Sequence, residues 1–318
     1  MSNLFTLPIL SRLESAQTIL IAGAGGGFDV FTGLPLYFAL RAAGKTVHLA
    51  NLSFSSLYAT TGKRDSEALV TVTAETEGHL RYFPELHLTR WFRSRGEDVA
   101  IHCFDRTGAR PIIAAYQRLC ERLQPDAIVL VDGGTDSLMR GDEYGLGTPE
   151  EDSASIAAVD CLDVPTRLLV CLGFGVDTFH GISHAHFLEA VAELTKKDAF
   201  LGAWSMLPSM PEFVLYREAC EYVQNIMFNH PSIVNTSILS AVEGHFGDFH
   251  ANYRTEGSEL FINPLMGLYW GFELAAVAER NLYLDQIRTT ENYWDLKAAI
   301  ALFRESVYEK RPWKALPM

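Results

Sequence analysis

The chain has 318 residues, 48% of them hydrophobic, which is enough for a large buried core, and its 26 Lys and Arg against 39 Asp and Glu leave a formal charge of −13. That excess repels phosphate backbones and anionic lipid surfaces, so neither nucleic acid nor a membrane is an expected partner. The cysteines Cys103, Cys120, Cys161, Cys171 and Cys220 are scattered, lack a C-x-x-C pair and mostly have apolar neighbours, the pattern of reduced thiols in a cytoplasmic protein.

The opening "MSNLFTLPILSRLESAQ" has no basic leader region and no clear cleavage site. Apolar stretches such as "TILIAGAGGGFDVF" are broken by Gly and Asp, short of the roughly 20 residues a spanning helix needs. A soluble, cytoplasmic protein is therefore expected. Short runs rich in Val, Ile and Leu at about 18–23, 46–50, 99–104, 126–132, 166–172 and 199–204 read as strands, and most are separated by helical periodicities. "LPLYFALRAAGK" reads as a helix with Pro35 in its first turn. "GARPIIAAYQRLCERL" is another, with an apolar face of Ile112, Ile113, Tyr116 and Leu119. A third has Thr148 as N-cap, Pro149 at its first position and Glu151 closing a capping box. "SHAHFLEAVAELTKK" starts at Ser183 and ends in lysines, as the helix dipole favours.

This alternation predicts a Rossmann-like α/β fold over residues 1–205, an open, mostly parallel sheet with helices on both faces. Residues 206–318 read as a mainly helical, aromatic part, including "MGLYWGFELAAVAERN". Three roles are open for it: completing the core, capping it, or forming a homo-oligomer interface. No linker or internal repeat marks a boundary.

Three of the predicted strands end in glycine followed two residues later by aspartate: "AGAGGGFD" gives Asp29, "VDGGTD" gives Asp136 and "LGFGVD" gives Asp177. In an open parallel sheet the carboxyl ends of the strands share the edge where ligands bind, so these three are expected to converge in one acidic crevice. The loop from Gly133 to Gly147 exceeds the 2–6 residues usual for such connections and adds Asp132, Arg140, Asp142 and Glu143 as candidates for substrate contacts or for an Arg–carboxylate pair holding the loop. Glu150, Glu151 and Asp152 fall in a helix's first turn, where acids are favoured anyway, and read as structural.

"GAGGG" after a strand invites a nucleotide, with Gly25, Gly26, Gly27 and Asn51 as the contacts. As a dinucleotide fingerprint it is incomplete: Phe28 stands at the third glycine and Asn51 replaces the ribose-binding acid. The acid expected in S-adenosylmethionine sites is Ile21. No P-loop, hydrolase elbow or strand-end lysine is present. Among the histidines, His180 precedes a helix and suits proton transfer or metal ligation. Of His184 and His186 one is expected to be packed and the other solvated, and His245 and His250 cannot be placed.

Taken together, "GAGGGFDVFTGLPL", "DGGTDSLMRGDE", "GLGTPEEDSASIAA" and "GFGVDTFHGISHAHFLEAVAEL" make the chain resemble the Rossmann-like family catalogued as domain of unknown function 1152. The resemblance spans most of the chain. It implies the fold and assigns no activity.

Crowded carboxylates demand either a positive ligand or raised pKa values. The leading expectation is an enzyme on a small polar metabolite bearing an amine or guanidine, with Asp29, Asp136, Asp177 and His180 as its acid–base groups. A divalent metal in the same Asp/His cluster, supporting hydrolase or lyase chemistry, is the alternative. A non-catalytic nucleotide sensor using the glycine loop is the third.

Overall fold

The structure, a computed structural model, describes residues 6–78, 81–258 and 260–316. In chain order its strands are β1 (Thr18–Gly23), β2 (Thr46–Ser53), β3 (Lys63–Ser66), β4 (Leu69–Val72), β5 (Ile101–Asp105), β6 (Ala127–Asp132), β7 (Thr166–Cys171), β8 (Phe200–Ser205), β9 (Gly247–Asp248), β10 (Phe261–Ile262) and β11 (Leu268–Glu273). The helices are α1 (Pro8–Leu13), α2 (Asp29–Thr32), α3 (Leu34–Ala42), α4 (Pro84–Ser94), α5 (Ala109–Leu123), α6 (Pro149–Asp160), α7 (His184–Lys196), α8 (Pro211–Ile226), α9 (Ile233–Val242), α10 (Leu274–Arg280), α11 (Leu284–Ile287) and α12 (Tyr293–Ser306).

A nine-stranded sheet runs in the order β3-β4-β5-β2-β1-β6-β7-β11-β8. Its central strands β5, β2, β1, β6 and β7 are mutually parallel, and antiparallel strands flank them on both sides. The chain leaves β1 toward β2 on one side and later takes up β6 on the other, so strand order reverses between β1 and β6. In sheets of this kind ligands bind at the carboxyl ends of the strands beside such a switch point.

Each central strand is buried on both faces, as parallel strands under crossover helices must be. In β1, Ile19 and Ile21 enter one core with residues of α3, α4 and α8, while Leu20 and Ala22 enter the other with residues of α5, α6 and α7. The same period of two divides Val129 and Val131 from Ile128 and Leu130 in β6. Of the expected face of α5, Ile112, Tyr116 and Leu119 are fully buried.

All six expected strands are present. Of the further strands among the described residues, β9 and β10 pair as a separate two-stranded sheet and three others join the main one. β3 is the polar, largely exposed edge segment "KRDS", and β4 is a four-residue "LVTV". β11, "LYWGFE", lies within a stretch that reads as helix in the sequence and is instead a strand between β7 and β8. It continues directly into α10, so no turn residue announces the change of period. No helix among the described residues is long and apolar enough to cross a membrane.

Candidate functional site

Asp29 opens α2 immediately after the glycine loop of β1, Asp132 ends β6, and Asp136 and Asp177 lie in short 3-10 turns after β6 and β7. Asp29, Asp136 and Asp177 therefore share the switch-point edge, where the charge of Asp136 adds to the burial that raises the carboxyl pKa of Asp29 and of Asp177. A further member comes from the first turn of α6. Asp152 is 3% exposed, and among the described residues neither of its carboxylate oxygens has a hydrogen-bond partner. One oxygen each from Asp29, Asp132 and Asp152 lie within 4.8 Å of one another.

The local chain is arranged around these oxygens. Gly25 N–H donates to Asp29 Oδ2 at 2.6 Å, Thr135 N–H to Asp177 Oδ2 at 2.6 Å, and the Ser137 hydroxyl to Asp132 Oδ2 at 2.5 Å. Asp136 Oδ2 accepts from Thr148 N–H at 2.8 Å and from the Thr148 hydroxyl at 3.0 Å. Glycines make room for the carboxylates. A Cβ on Gly25 would stand 2.7 Å from Asp152 Oδ1 and 2.9 Å from Asp29 Oδ2, and one on Gly134 would stand 2.6 Å from Asp177 Oδ2. At Gly147 the φ of +68° is itself unfavourable for a side chain, and a Cβ would fall 2.1 Å from Asp136 Oδ2.

Burial dominates the electrostatics. It pushes the Asp29 carboxyl up to about 7, with the charge of Asp136 adding to the effect. Asp132, Asp152 and Asp177 are driven well above the usual carboxylate range, first by burial and then by their acidic neighbours. Asp136 is raised by burial against the opposing hydrogen bonds of Thr148. Such a group stays protonated or takes up a cation. An ion of the magnesium class, with oxygens at about 2.1 Å, holds adjacent ligands about 3 Å apart and opposite ones about 4.2 Å apart.

His180 is exposed at the end of its turn, close enough for its charge to act on Asp136. His186 is the packed member of its pair, 3% exposed, whereas His184 is half-buried beside Phe174. His245 stacks on Phe249 and His250 contacts Asp248 and Thr255, so both are engaged in the segment around β9.

The other candidates lie elsewhere. Arg140 pairs with Asp142 at 2.7 Å. Asp142 also receives Arg311 at 2.8 Å, and these two arginines overcome burial to bring its carboxyl down to about 2. Glu143, fully buried, accepts from Gly141 N–H at 2.8 Å and from Arg311 at 2.6 Å. These three side chains hold the loop's shape rather than facing the crevice. Asn51 is fully buried beneath the glycine loop, donating to Gly27 O and to Glu85, both at 2.8 Å. The Gly25 amide serves Asp29 and the Gly27 amide serves Leu52 O, so the loop's own aspartate takes a donor that a phosphate would need.

Asp152 is the residue that the helix-start reading hid. Thr148 does occupy the N-cap of α6, but the expected capping box is absent: its hydroxyl turns to Asp136, and Glu151 contacts Arg106 at 3.5 Å. The available signal was the helix composition, "PEEDSASIAAVD". Small residues occur all around it, and every residue from Glu151 to Val159 is buried, so acids in its first turn face the interior.

An open, mostly parallel α/β sheet with an acidic cluster at its switch point defines a Rossmann-like protein. Within that class the chain belongs to the family described as Protein of unknown function (DUF1152), whose family model matches residues 60–308. That span includes Asp132, Asp136, Asp152 and Asp177, while Asp29 and the glycine loop precede it. No curated protein and no solved structure matches the chain.

Proposed function

We propose that Asp29, Asp132 and Asp152 bind a divalent cation and that the chain is a metal-dependent hydrolase or lyase acting on a small polar metabolite. The observation that carries this reading is the Asp152 carboxylate, buried with both oxygens unpartnered and beside two further acids. An unpaired buried carboxylate costs several kcal/mol, and a cation among three of them offsets that cost. Hard, all-oxygen ligands favour Mg²⁺, Mn²⁺ or Ca²⁺ over softer ions. From the sequence, metal-free chemistry is slightly favoured because no histidine ligand motif is present. Carboxylates gathered from three separate segments need no such motif.

When bound, a divalent cation acidifies water or polarises a carbonyl. Asp136, fixed by Thr148, and Asp177, fixed by Thr135, have carboxyl pKa values raised first by burial, and they are the groups that deliver or accept a proton. The exposed His180 stands near enough to Asp136 for its charge to act on that carboxylate. Asp29 is the partly exposed member of the ligand trio and provides the side from which a substrate approaches.

Non-denaturing mass spectrometry of the full chain with added Mn²⁺, beside Asp152→Asn, tests the reading. A retained metal increment in the parent that disappears in the variant is expected. No increment, or one that persists in Asp152→Asn, overturns it.

A further inference from the structure

Arg106 follows β5 and Phe54 follows β2, both on the carboxyl edge that carries the acidic group, and Tyr293 reaches the same place from the start of α12. The Arg106 guanidinium carbon lies 4.5 Å from the centre of the Tyr293 ring and 5.4 Å from that of Phe54. Two aromatic faces hold the cation without engaging its N–H groups. Among the described residues its one hydrogen bond is a long one, 3.5 Å to Glu151 Oε1, and 46% of the side chain is exposed. The contrast is with Arg311 and Arg288, whose donors are committed to Asp142, Glu143 and Glu189 and to Asp160, Asp285 and Ala157 O. Arg106 thus presents a planar, pre-positioned fork, most of whose five donors engage no other group among the described residues.

The wall between this fork and the acidic cluster is continuous. Atoms of the Phe54 ring stand 2.7–3.2 Å from where a Cβ on Gly26 or Gly27 would be, and the neighbouring Gly25 abuts Asp152. Gly26 and Gly27 are buried against the Phe54 ring, and Gly25 is partly exposed beside Asp152. A ligand carrying a negative group is repelled by the aspartates and attracted at the rim, which fixes its orientation. The glycine-loop amides offer no competing anion site, because those of Gly25 and Gly27 already serve Asp29 and Leu52.

We propose that Arg106, braced by Phe54 and Tyr293, is an oxyanion subsite that grips a carboxylate or phosphate on the substrate while the other end of the molecule reaches Asp29 and Asp152. This deepens the preceding reading and rests on it for the second half of that placement. The substrate class is a small metabolite with a terminal oxyanion.

The test is calorimetric titration of the full chain with inorganic phosphate and with succinate, each with and without Mn²⁺, in the parent and in Arg106→Ala, Arg106→Gln, Arg106→Lys and Asp152→Asn. Arg106→Gln retains a stem against the rings and keeps the test valid if the alanine variant fails to fold. Saturable binding of at least one anion is expected, weakened tenfold or more in the alanine and glutamine variants and only partly recovered by lysine, which lacks the fork. Asp152→Asn is expected to lose Mn²⁺ yet keep the anion, so the two readings fail separately. Absence of saturable binding, equal binding in the Arg106 variants, or binding that requires Mn²⁺ and vanishes in Asp152→Asn overturns the proposal.

Discussion

The hydroxyl of Thr148 donates to Asp136 Oδ2 at 3.0 Å instead of capping the helix that Thr148 itself begins. The N-cap residue of α6 is thereby a support for the acidic loop. Replacing it by valine keeps the shape, removes the donor and leaves only the backbone N–H on that oxygen. A hydrogen bond to a charged group contributes about 1.5–3 kcal/mol, and the exposure of Thr148 places this one near the lower figure. Thr148→Val is expected to lose about 1 kcal/mol in urea unfolding while Thr148→Ser remains close to the parent. Equal losses in both variants would show that the bond to Asp136 contributes nothing.

Gly25 sits where a methyl group would touch Asp29 and Asp152 together. Its φ lies outside the left-handed region, so alanine is tolerated by the backbone. Gly25→Ala is expected to weaken Mn²⁺ binding at least tenfold with little change in Tm, read by titration and thermal unfolding. Unchanged affinity would remove Gly25 from the proposed ion site.

Glu85 is fully buried; one oxygen accepts from Asn51 at 2.8 Å and the other has no hydrogen-bond partner among the described residues. Burial raises its carboxyl from 4.5 to about 7. Because the folded value is the higher one, its stabilising protonation is complete below the unfolded pKa and is lost as pH rises toward 7. The gap corresponds to about 3 kcal/mol. Glu85→Gln keeps the acceptor for Asn51 and cannot ionise. The loss of stability between pH 5 and pH 8 is expected to shrink by about 3 kcal/mol in this variant, measured by urea unfolding at both pH values. The same loss in parent and variant would place the ionisation elsewhere.

Arg311 N–H donates to Asp142 O and its carbonyl accepts from Tyr144 N–H, both at 2.8 Å, while its side chain reaches Asp142, Glu143 and Glu189. Arg304 adds bonds to the carbonyls of Gly141, Glu143 and Tyr144. Together they tie the C-terminal segment across the loop that carries Asp136. Arg311→Ala leaves Glu143 buried without its side-chain partner, and about 3 kcal/mol of stability is expected to go with it. Faster hydrogen exchange over residues 140–147 is the accompanying signature. Exchange at the parent rate would mean that the loop holds itself.

The parallel core was legible because its strands are apolar on both faces and bounded by glycine. β3 and β11 were not: "KRDS" has no apolar residue to mark it, and "LYWGFE" runs into a helix without a break. At the site, Gly-x-Asp endings located Asp29, Asp136 and Asp177 because strand ends share an edge by topology alone. Asp152 escaped because an acid in a first helical turn has an ordinary explanation, and only the burial of α6 on all sides removes it. Arg140, Asp142 and Glu143 had the right chemistry in the right loop. Their partner Arg311 is so distant in sequence that no local pattern could pair them.

The position of β11 constrains how the chain is made. β8 is hydrogen-bonded to the sheet only through β11, which follows it by more than sixty residues and inserts between it and β7. During synthesis β7 therefore presents an open edge until residues 268–273 emerge, while β8 waits without a neighbour. A ribosome paused anywhere between these segments holds a nascent sheet with an unprotected apolar margin, a natural binding place for a chaperone.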